Sequence, residues 1–199
     1  MFKTALLTTV AIAALLGASA GTAVAKTYEV DKTHSSIGFS VRHMAISNVK
    51  GAFDDFEASF TYVPGQPDTW RCEAVIQAAS IDTGNQKRDD HLRSDEFLDA
   101  AKYPTITFAS TSVKLGKDGR GTVTGDLTLH GVTREVVLDL ELLGILETSP
   151  FGDSRAGFTA TGKINREDFG LTWNKVMEAG GLLVGDDVEI VIAVEGIAP

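Results

Sequence analysis

The chain has 199 residues, of which 43% are hydrophobic and 23% are charged, and its formal net charge at pH 7 is −9. This composition is typical of a folded soluble domain and excludes a disordered or collagen-like chain. The acidic charge, without a cluster of Lys and Arg, argues against nucleic acid and anionic lipid surfaces as partners.

The first 25 residues show the three parts of a secretory signal peptide. Lys3 provides a positive start, residues 5–16 form an apolar run, and Ala23-Val24-Ala25 is a small-x-small cleavage site. The apolar run is too short to span a bilayer comfortably. We therefore expect residues 1–25 to be removed on export, which leaves residues 26–199 as a single domain with no integral membrane segment.

Apolar and polar residues alternate along most of the remaining chain, which predicts antiparallel strands. A short strand near 28–30 is followed by strands at 35–43, 55–62 and 70–80, then by a shorter Thr-rich strand around Ile106 and Phe108. Later strands are predicted around 123–129, 136–142, 158–164 and 188–194. Turn residues at 116–119 and 180–181 separate such segments. The pattern predicts an all-β fold of about eight strands, either a sandwich or a closed barrel.

Residues 85–99 interrupt the alternation with a polar segment. Asn85 and Ser94 are predicted N-caps of one or two short helices over one end of the sheet. The run 87–93 combines acids, bases and an imidazole, which are the groups of an active site. Alternating charges on a short helix are more typical of a solvated, mutually paired face.

One face of the predicted strands carries large apolar side chains and is expected to face inward. The predicted ligand-binding residues on this face are Ile37, Phe39, Val41, His43, Phe60, Ile76, Phe108, Leu127, Leu129, Leu138, Leu140, Phe158, Ile190 and Ile192. The same face carries the small residues Ala58, Ala74, Ala78, Gly125, Ala160 and Gly162. A barrel of this size is filled by its side chains or holds one small ligand, and the small residues fit both alternatives equally. Any internal space would be apolar and would suit an apolar ligand.

The histidines and the single cysteine give little sign of catalysis. His34, His43, His91 and His130 lack metal-ligand spacing, so no metal is predicted. His43 lies by parity on the inward face at a strand end, where it is a candidate to meet the head group of a ligand. Cys72 cannot form an internal disulfide and is predicted to be a small buried hydrophobe.

Four segments of the chain resemble the YceI-like family of periplasmic polyisoprenoid-binding proteins. They are YEVDKTHSSIGFSVRHM at 28–44, SIDTGNQKRDDHLRSDEFLDAAKYPTITF at 80–108, GDLTLHGVTREVVLDL at 125–140 and NREDFGL at 165–171. The resemblance implies an extended, lipocalin-like antiparallel β-barrel whose apolar tunnel holds an isoprenoid chain. It also implies a non-covalent periplasmic carrier or reservoir for a polyprenyl or quinone-like lipid, with no cofactor, no metal and no catalytic motif.

Two other functions stay open at this point. An enzyme acting on a hydrophobic substrate would use His43 or the Asp90–His91 pair as acid or base, although no nucleophile or metal site is identifiable. An outer-membrane barrel would also be exported and would also show alternating strands. Its lipid-facing surface would then be polar, which is costly in a bilayer. The sequence also leaves open whether the protein forms a homodimer.

Overall fold

The computed structural model describes residues 25–63, 65–178 and 180–199. Apart from Ala25, the predicted signal peptide lies outside the described residues. The described part of the chain contains eleven strands and one α-helix, α1 (Gln86–Arg93). The strands are β1 (Lys26–Val30), β2 (Ser36–His43), β3 (Ser47–Phe53), β4 (Phe56–Tyr62), β5 (Arg71–Gln77), β6 (Ile81–Asp82), β7 (Thr105–Leu115), β8 (Arg120–Leu129), β9 (Val132–Leu146), β10 (Ser154–Asn165) and β11 (Val184–Ala198).

Six of these segments form three long strands, each interrupted by a short break. β1 continues into β2, β3 into β4, and β5 into β6, with breaks at 31–35, 54–55 and 78–80. Since β4 pairs with β1 and β5 while β3 pairs with β2 and β6, the halves remain in register across the sheet. Counted this way, eight antiparallel strands surround the interior, and β1 and β2 pair with β11 to close the barrel. The predicted barrel is therefore confirmed, and the alternative of a sandwich is excluded.

A polar cluster fixes the break between β1 and β2. The carboxylate of Asp31 accepts hydrogen bonds from the Thr33 backbone N at 2.9 Å, Thr33 Oγ1 at 2.7 Å and His34 Nδ1 at 2.8 Å. Arg155 on β10 donates to Glu195 Oε1 on β11 at 2.5 Å and lies 4.0 Å from Asp31. The Asp31, His34 and Glu195 ligand atoms are close enough for a metal ion, but the Arg155 guanidinium already supplies positive charge there. The cluster ties this corner of the chain to β10 and β11.

Two apolar clusters pack the two ends of the barrel. The end covered by α1 and the residues after it is packed by Phe56, Ile81, Leu98 and Phe169, among others. The opposite end is aromatic. Tyr28 is fully buried and stacks on Phe60 with ring centroids 5.0 Å apart, while Trp70 meets Phe158 edge to face at 5.9 Å. The aromatic cluster therefore closes one end of the barrel.

Strand β3 was absent from the predicted strands. It pairs with β2, with Gly51 opposite Phe39 and Val49 opposite Val41. The ring of Phe39 fills the place of the side chain that Gly51 lacks, because a Cβ there would lie 2.5 Å from Phe39 Cζ. Phe39 of β2 therefore supplies the apolar group that the alternation of β3 lacks at Gly51. The sequence of β3 alone cannot show this.

The prediction of a short strand around Ile106 and Phe108 is wrong in length. β7 contains 11 residues, and its register with β8 shifts between Ser110 and Ser112. Inward positions are even-numbered before this bulge, and the buried Val113 is the inward residue after it. A bulge of this kind inverts the alternation, so the second half of the strand does not continue the pattern of the first.

The polar segment 85–99 forms one helix and a set of turns. Asn85 caps α1 as predicted, and its side chain accepts a hydrogen bond from the Arg88 backbone N at 3.1 Å. The prediction of Ser94 as an N-cap is wrong, because Ser94 ends α1 and its hydroxyl donates to the His91 carbonyl at 2.7 Å. Within the described residues, no helix combines the length and apolar character needed to cross a membrane.

Candidate functional site

A cavity of about 320 Å³ lies inside the barrel. All eleven strands contribute to its wall, together with residues of α1 and of the turns after it. The lining is almost entirely hydrocarbon, from Val, Leu, Ile, Phe and Ala side chains. Pockets for small molecules begin at about this volume, and an apolar cavity is poorly suited to water. The geometry therefore favours an apolar ligand.

The structure places all but one of the predicted ligand-binding residues on this wall. They are Ile37, Phe39, Val41, Phe60, Ile76, Phe108, Leu127, Leu129, Leu138, Leu140, Phe158, Ile190 and Ile192. Several of them, such as Phe39, Phe60 and Ile190, are only half-buried although they point inward. They contact neighbouring side chains on one side and border the cavity on the other, as a ligand-binding wall requires. Their contact with a bound ligand stays a prediction.

His43 is the exception. It ends β2 as predicted, and it pairs with Ser47 of β3 and Val184 of β11. It is not among the described residues that line the cavity, but its partner Val184 is, and side chains paired directly across two strands lie on the same face of a sheet. His43 therefore lies on the inward face just beyond the last lining residue of β2, and its contact with a head group stays a prediction. The register of β11 shifts between Val184 and Val188, opposite this end of β2. The pairing of β2 with β3 stays regular as far as His43, so this irregularity belongs to β11 and the alternation of β2 is kept.

Three small inward residues leave space in the wall. Ala58 and Ala74 are paired across β4 and β5, and both line the cavity. Ala160 on β10 lines it as well, opposite Leu140 of β9. Because Ala side chains are short, the wall is recessed at these positions, as the cavity alternative required.

Two other small residues leave no space. A Cβ on Gly125 would lie 2.5 Å from Cζ of Phe108, and a Cβ on Gly162 would overlap the Leu138 side chain. These glycines allow large side chains on neighbouring strands to fold across them. At Gly125 and Gly162 the small residues therefore belong to a packed interior. At Ala58, Ala74 and Ala160 they leave space in the cavity.

Cys72 also lines the cavity and is half-buried. Burial raises the pKa of its thiol above the ordinary value, although a hydrogen bond with Ser110 opposes this. A raised pKa keeps the thiol neutral and unreactive near pH 7. Its environment agrees with the predicted small hydrophobe.

Arg166 is a cavity-lining residue that the sequence did not predict. It is 3% exposed. Its Nε donates to the Gly185 carbonyl at 3.0 Å, and its Nη1 donates to the carbonyls of Leu171 and, at 3.1 Å, Trp173. Its Nη2 pairs with Asp186 at 2.9 Å. The guanidinium is thus satisfied within the protein and joins β11 to the segment after β10. In the sequence, the sign that Arg166 has a role was its position in the segment NREDFGL, one of the four segments that resemble the family.

The acid and base candidates of the enzyme alternative form surface pairs. His91 Nε2 lies 2.5 Å from Glu96 Oε2, and Arg93 Nη1 donates to Asp90 at 3.0 Å. Both contacts agree with the interpretation of this run as a paired, solvated face. The side chain of α1 that lines the cavity is the apolar Leu92.

Residues 28–196 match the family model of the YceI-like domain. The chain is 42% identical to Protein YceI of Escherichia coli over 182 residues, which cover 90% of this chain and 91% of that protein. A crystal structure of a Campylobacter jejuni YCEI protein is 36% identical, with a TM-score of 0.69 over 84% of this chain and 95% of the other. A polyisoprenoid binding domain from Saccharophagus degradans shares the fold at 21% identity, with a TM-score of 0.61 over 86% of this chain and 98% of that domain.

Proposed function

The chain belongs to the YceI-like family, and on this premise we propose that it binds an isoprenoid lipid non-covalently inside its barrel. The observation that carries the proposal is the apolar cavity of about 320 Å³. The structural neighbour from Saccharophagus degradans is described as a polyisoprenoid binding domain, which supports the same ligand class.

The chemistry of the wall suits a prenyl chain. Each CH₂ group that moves from water to an apolar site contributes about 0.8 kcal/mol, so a branched hydrocarbon tail gains affinity from burial alone. Ordering the tail and the surrounding side chains offsets part of this gain. Burial of the tail sets the affinity, and contacts of the head group at the end of the cavity set the selectivity.

The protein acts as a carrier or reservoir in the periplasm under this proposal. The signal-peptide pattern of residues 1–25 supports export. A water-insoluble lipid needs a protein container to leave a membrane. A carrier is favoured over an enzyme because none of His43, Asp90 and His91 is among the described residues that line the cavity.

Native mass spectrometry of the protein purified from its own exported fraction tests the ligand. We expect close to one prenyl lipid per chain, which solvent extraction then identifies. Repeated recovery of lipid-free protein, together with no binding of an added prenyl quinone, would contradict the proposal. A saturated fatty acid is the matched control ligand, because it tests whether any hydrocarbon tail is accepted.

Cell fractionation tests the location separately. The soluble fraction released by osmotic shock should contain the protein. Recovery in the membrane pellet after a salt wash would favour the outer-membrane barrel instead.

A further inference from the structure

Two neighbouring hairpins at one end of the barrel expose apolar side chains. The β2–β3 hairpin presents Met44 and Ile46, and the hairpin before β11 presents Val176 and Leu182. Ile46 is 80% exposed and Val176 is 74% exposed. The Met44 backbone N donates to the Leu183 carbonyl at 2.8 Å, which holds the two hairpins side by side. We call Met44, Ile46, Val176 and Leu182 the apolar tips.

The backbone conformation of the turn that carries Met44 is unfavourable for the residues that occupy it. Met44 and Ala45 have φ angles of 50° and 60°, in the left-handed region that suits Asn and Gly in a tight hairpin. Side chains at such positions cost stability, and strained backbone of this kind is concentrated at functional sites. An exposed Met on a strained turn therefore indicates a surface role.

The apolar tips lie beside the end of the cavity opposite the aromatic cluster. Val41 lies three residues before Met44, and Val184 directly follows Leu183; both line the cavity. Val41, Val184 and Val188 are half-buried, whereas Tyr28 and Trp70 at the other end are buried. The apolar tips therefore border half-buried residues of the cavity wall, at the end of the barrel that α1 covers.

The charge around the apolar tips differs from that of the whole chain. Segments 42–50 and 172–183 contain the basic residues Arg42, Lys50 and Lys175 and the single acid Glu178, in a chain of net charge −9. None of the three basic side chains forms an ion pair with a residue that the structure describes. The overall charge argued against an anionic lipid surface, but within these two segments the basic residues outnumber the acids.

The nearest acids of β11 do not cancel this positive charge. Asp186 pairs with Arg166 at 2.9 Å, and Asp187 pairs with Lys163 at 3.2 Å. Exposed apolar side chains with basic residues around them complement a phospholipid surface, where phosphates lie above the acyl chains.

We infer that the apolar tips dock the protein on a phospholipid bilayer, with this end of the cavity turned toward the membrane. The inference rests on the proposed function for its purpose, since a lipid cargo enters and leaves through a membrane. Docking itself needs only the apolar tips and the basic residues around them, so it can be measured without any isoprenoid.

Flotation of the exported protein with phosphatidylcholine vesicles, with and without phosphatidylglycerol, tests docking. Replacing Ile46→Ser and Val176→Ser together should weaken the partitioning about tenfold, because two exposed apolar side chains are lost. The matched control is Val137→Ser with Val191→Ser, since these outward-facing residues are 56% and 52% exposed but lie within the strands β9 and β11. The control should partition like the unmodified protein, and phosphatidylglycerol should strengthen binding.

Single substitutions in the strained turn separate docking from folding. Met44→Asn should raise the melting temperature, because Asn tolerates the left-handed region, and should nevertheless weaken vesicle binding. Ala45→Gly should raise the melting temperature and leave vesicle binding unchanged. Equal vesicle binding by these two variants would overturn the inference.

The remaining outcomes are also decisive. Failure of the unmodified protein to bind vesicles, or equal loss of binding in the tip variant and the Val137 and Val191 control, would overturn docking. So would a tip variant that converts a dimer to a monomer in sedimentation without any vesicle binding, because the tips would then be a contact with a second copy. Vesicle binding without prenyl quinone binding would support docking and contradict the proposed function.

Discussion

Ala58 of β4 and Ala74 of β5 face each other directly across neighbouring strands, and both side chains line the cavity. Two adjacent short side chains recess the wall at the same level of the barrel. This pair therefore contributes space that larger apolar residues would fill.

The first prediction is that Ala74→Leu weakens isoprenoid binding about tenfold, because the added methyl groups occupy ligand space. The fold should persist, since the new side chain enters an existing cavity. Titration with a prenyl quinone, followed by intrinsic fluorescence, measures the affinity. Val75→Leu is the control, because Val75 is the next residue, points outward and is 42% exposed. Equal affinities of the two variants would show that the ligand lies elsewhere.

A second prediction concerns the glycine that accommodates Phe108. Gly125→Ala would place a Cβ 2.5 Å from Phe108 Cζ and 2.5 Å from the Ala109 carbonyl oxygen. We expect the free energy of unfolding to fall by about 2 kcal/mol, as in other overpacked interiors. Urea denaturation measures the change. Gly144→Ala should be neutral, because nothing lies within 4 Å of its added Cβ.

A third prediction concerns the hydrogen bonds by which Arg166 joins β11 to the segment after β10. Arg166→Met should lower the free energy of unfolding by about 3 kcal/mol, because buried carbonyl groups lose their donor. Asp186→Asn should cost less than about 1 kcal/mol, since its side chain is 39% exposed and solvent screens the pair. If both substitutions cost the same in a denaturant titration, the ion pair and not the carbonyl contacts would dominate.

The fourth prediction concerns pH and the polar cluster at the β1–β2 break. The hydrogen bond to the Asp31 carboxylate raises the pKa of His34 above its ordinary value of 6.5, and bonds from Thr33 and His34 hold the pKa of Asp31 below its ordinary range. The His34 contribution to stability is complete below the ordinary histidine pKa and is lost as pH rises through its raised value. The Asp31 contribution is present above the ordinary carboxyl pKa and is lost as pH falls through its lowered value. The cluster should therefore stabilise the fold most near about pH 5.

Asp31→Asn tests this by two measurements. The NMR titration of His34 should return to the ordinary histidine pKa. The difference in melting temperature between the variant and the unmodified protein should be largest near about pH 5 and smaller at about pH 9. A His34 titration that does not respond to the substitution would assign the raised pKa to another neighbour.

Local alternation was sufficient to identify much of the interior. Ile37, Phe39 and Val41 line the cavity as predicted, because side chains on a regular strand alternate between its two faces. The same reasoning failed where the backbone or a neighbour breaks the regularity. Strand β3 was missed because Phe39 fills the place of Gly51, and the second half of β7 was missed because a bulge inverts its phase.

The positions of His43 at the end of β2 and of Arg166 on the cavity wall could be determined only from the assembled barrel. His43 continues the alternation of β2 beside Val184, but only the assembled barrel shows that the cavity lining of β2 ends at Val41. Arg166 gave no sign of burial, because its bonding partners come from residues 171–186 and meet it only when β11 packs beside β10.

The sequence by itself determined the all-β class, the approximate number of strands and the apolar face of most of them, because each depends on residues close together in the chain. The tertiary structure alone decided that the sheet closes and that a cavity remains inside it. The volume left in a barrel depends on which residues meet across strands. Ala58 and Ala74 leave space because two short side chains face each other there, whereas Gly125 leaves none because the ring of Phe108 lies across it.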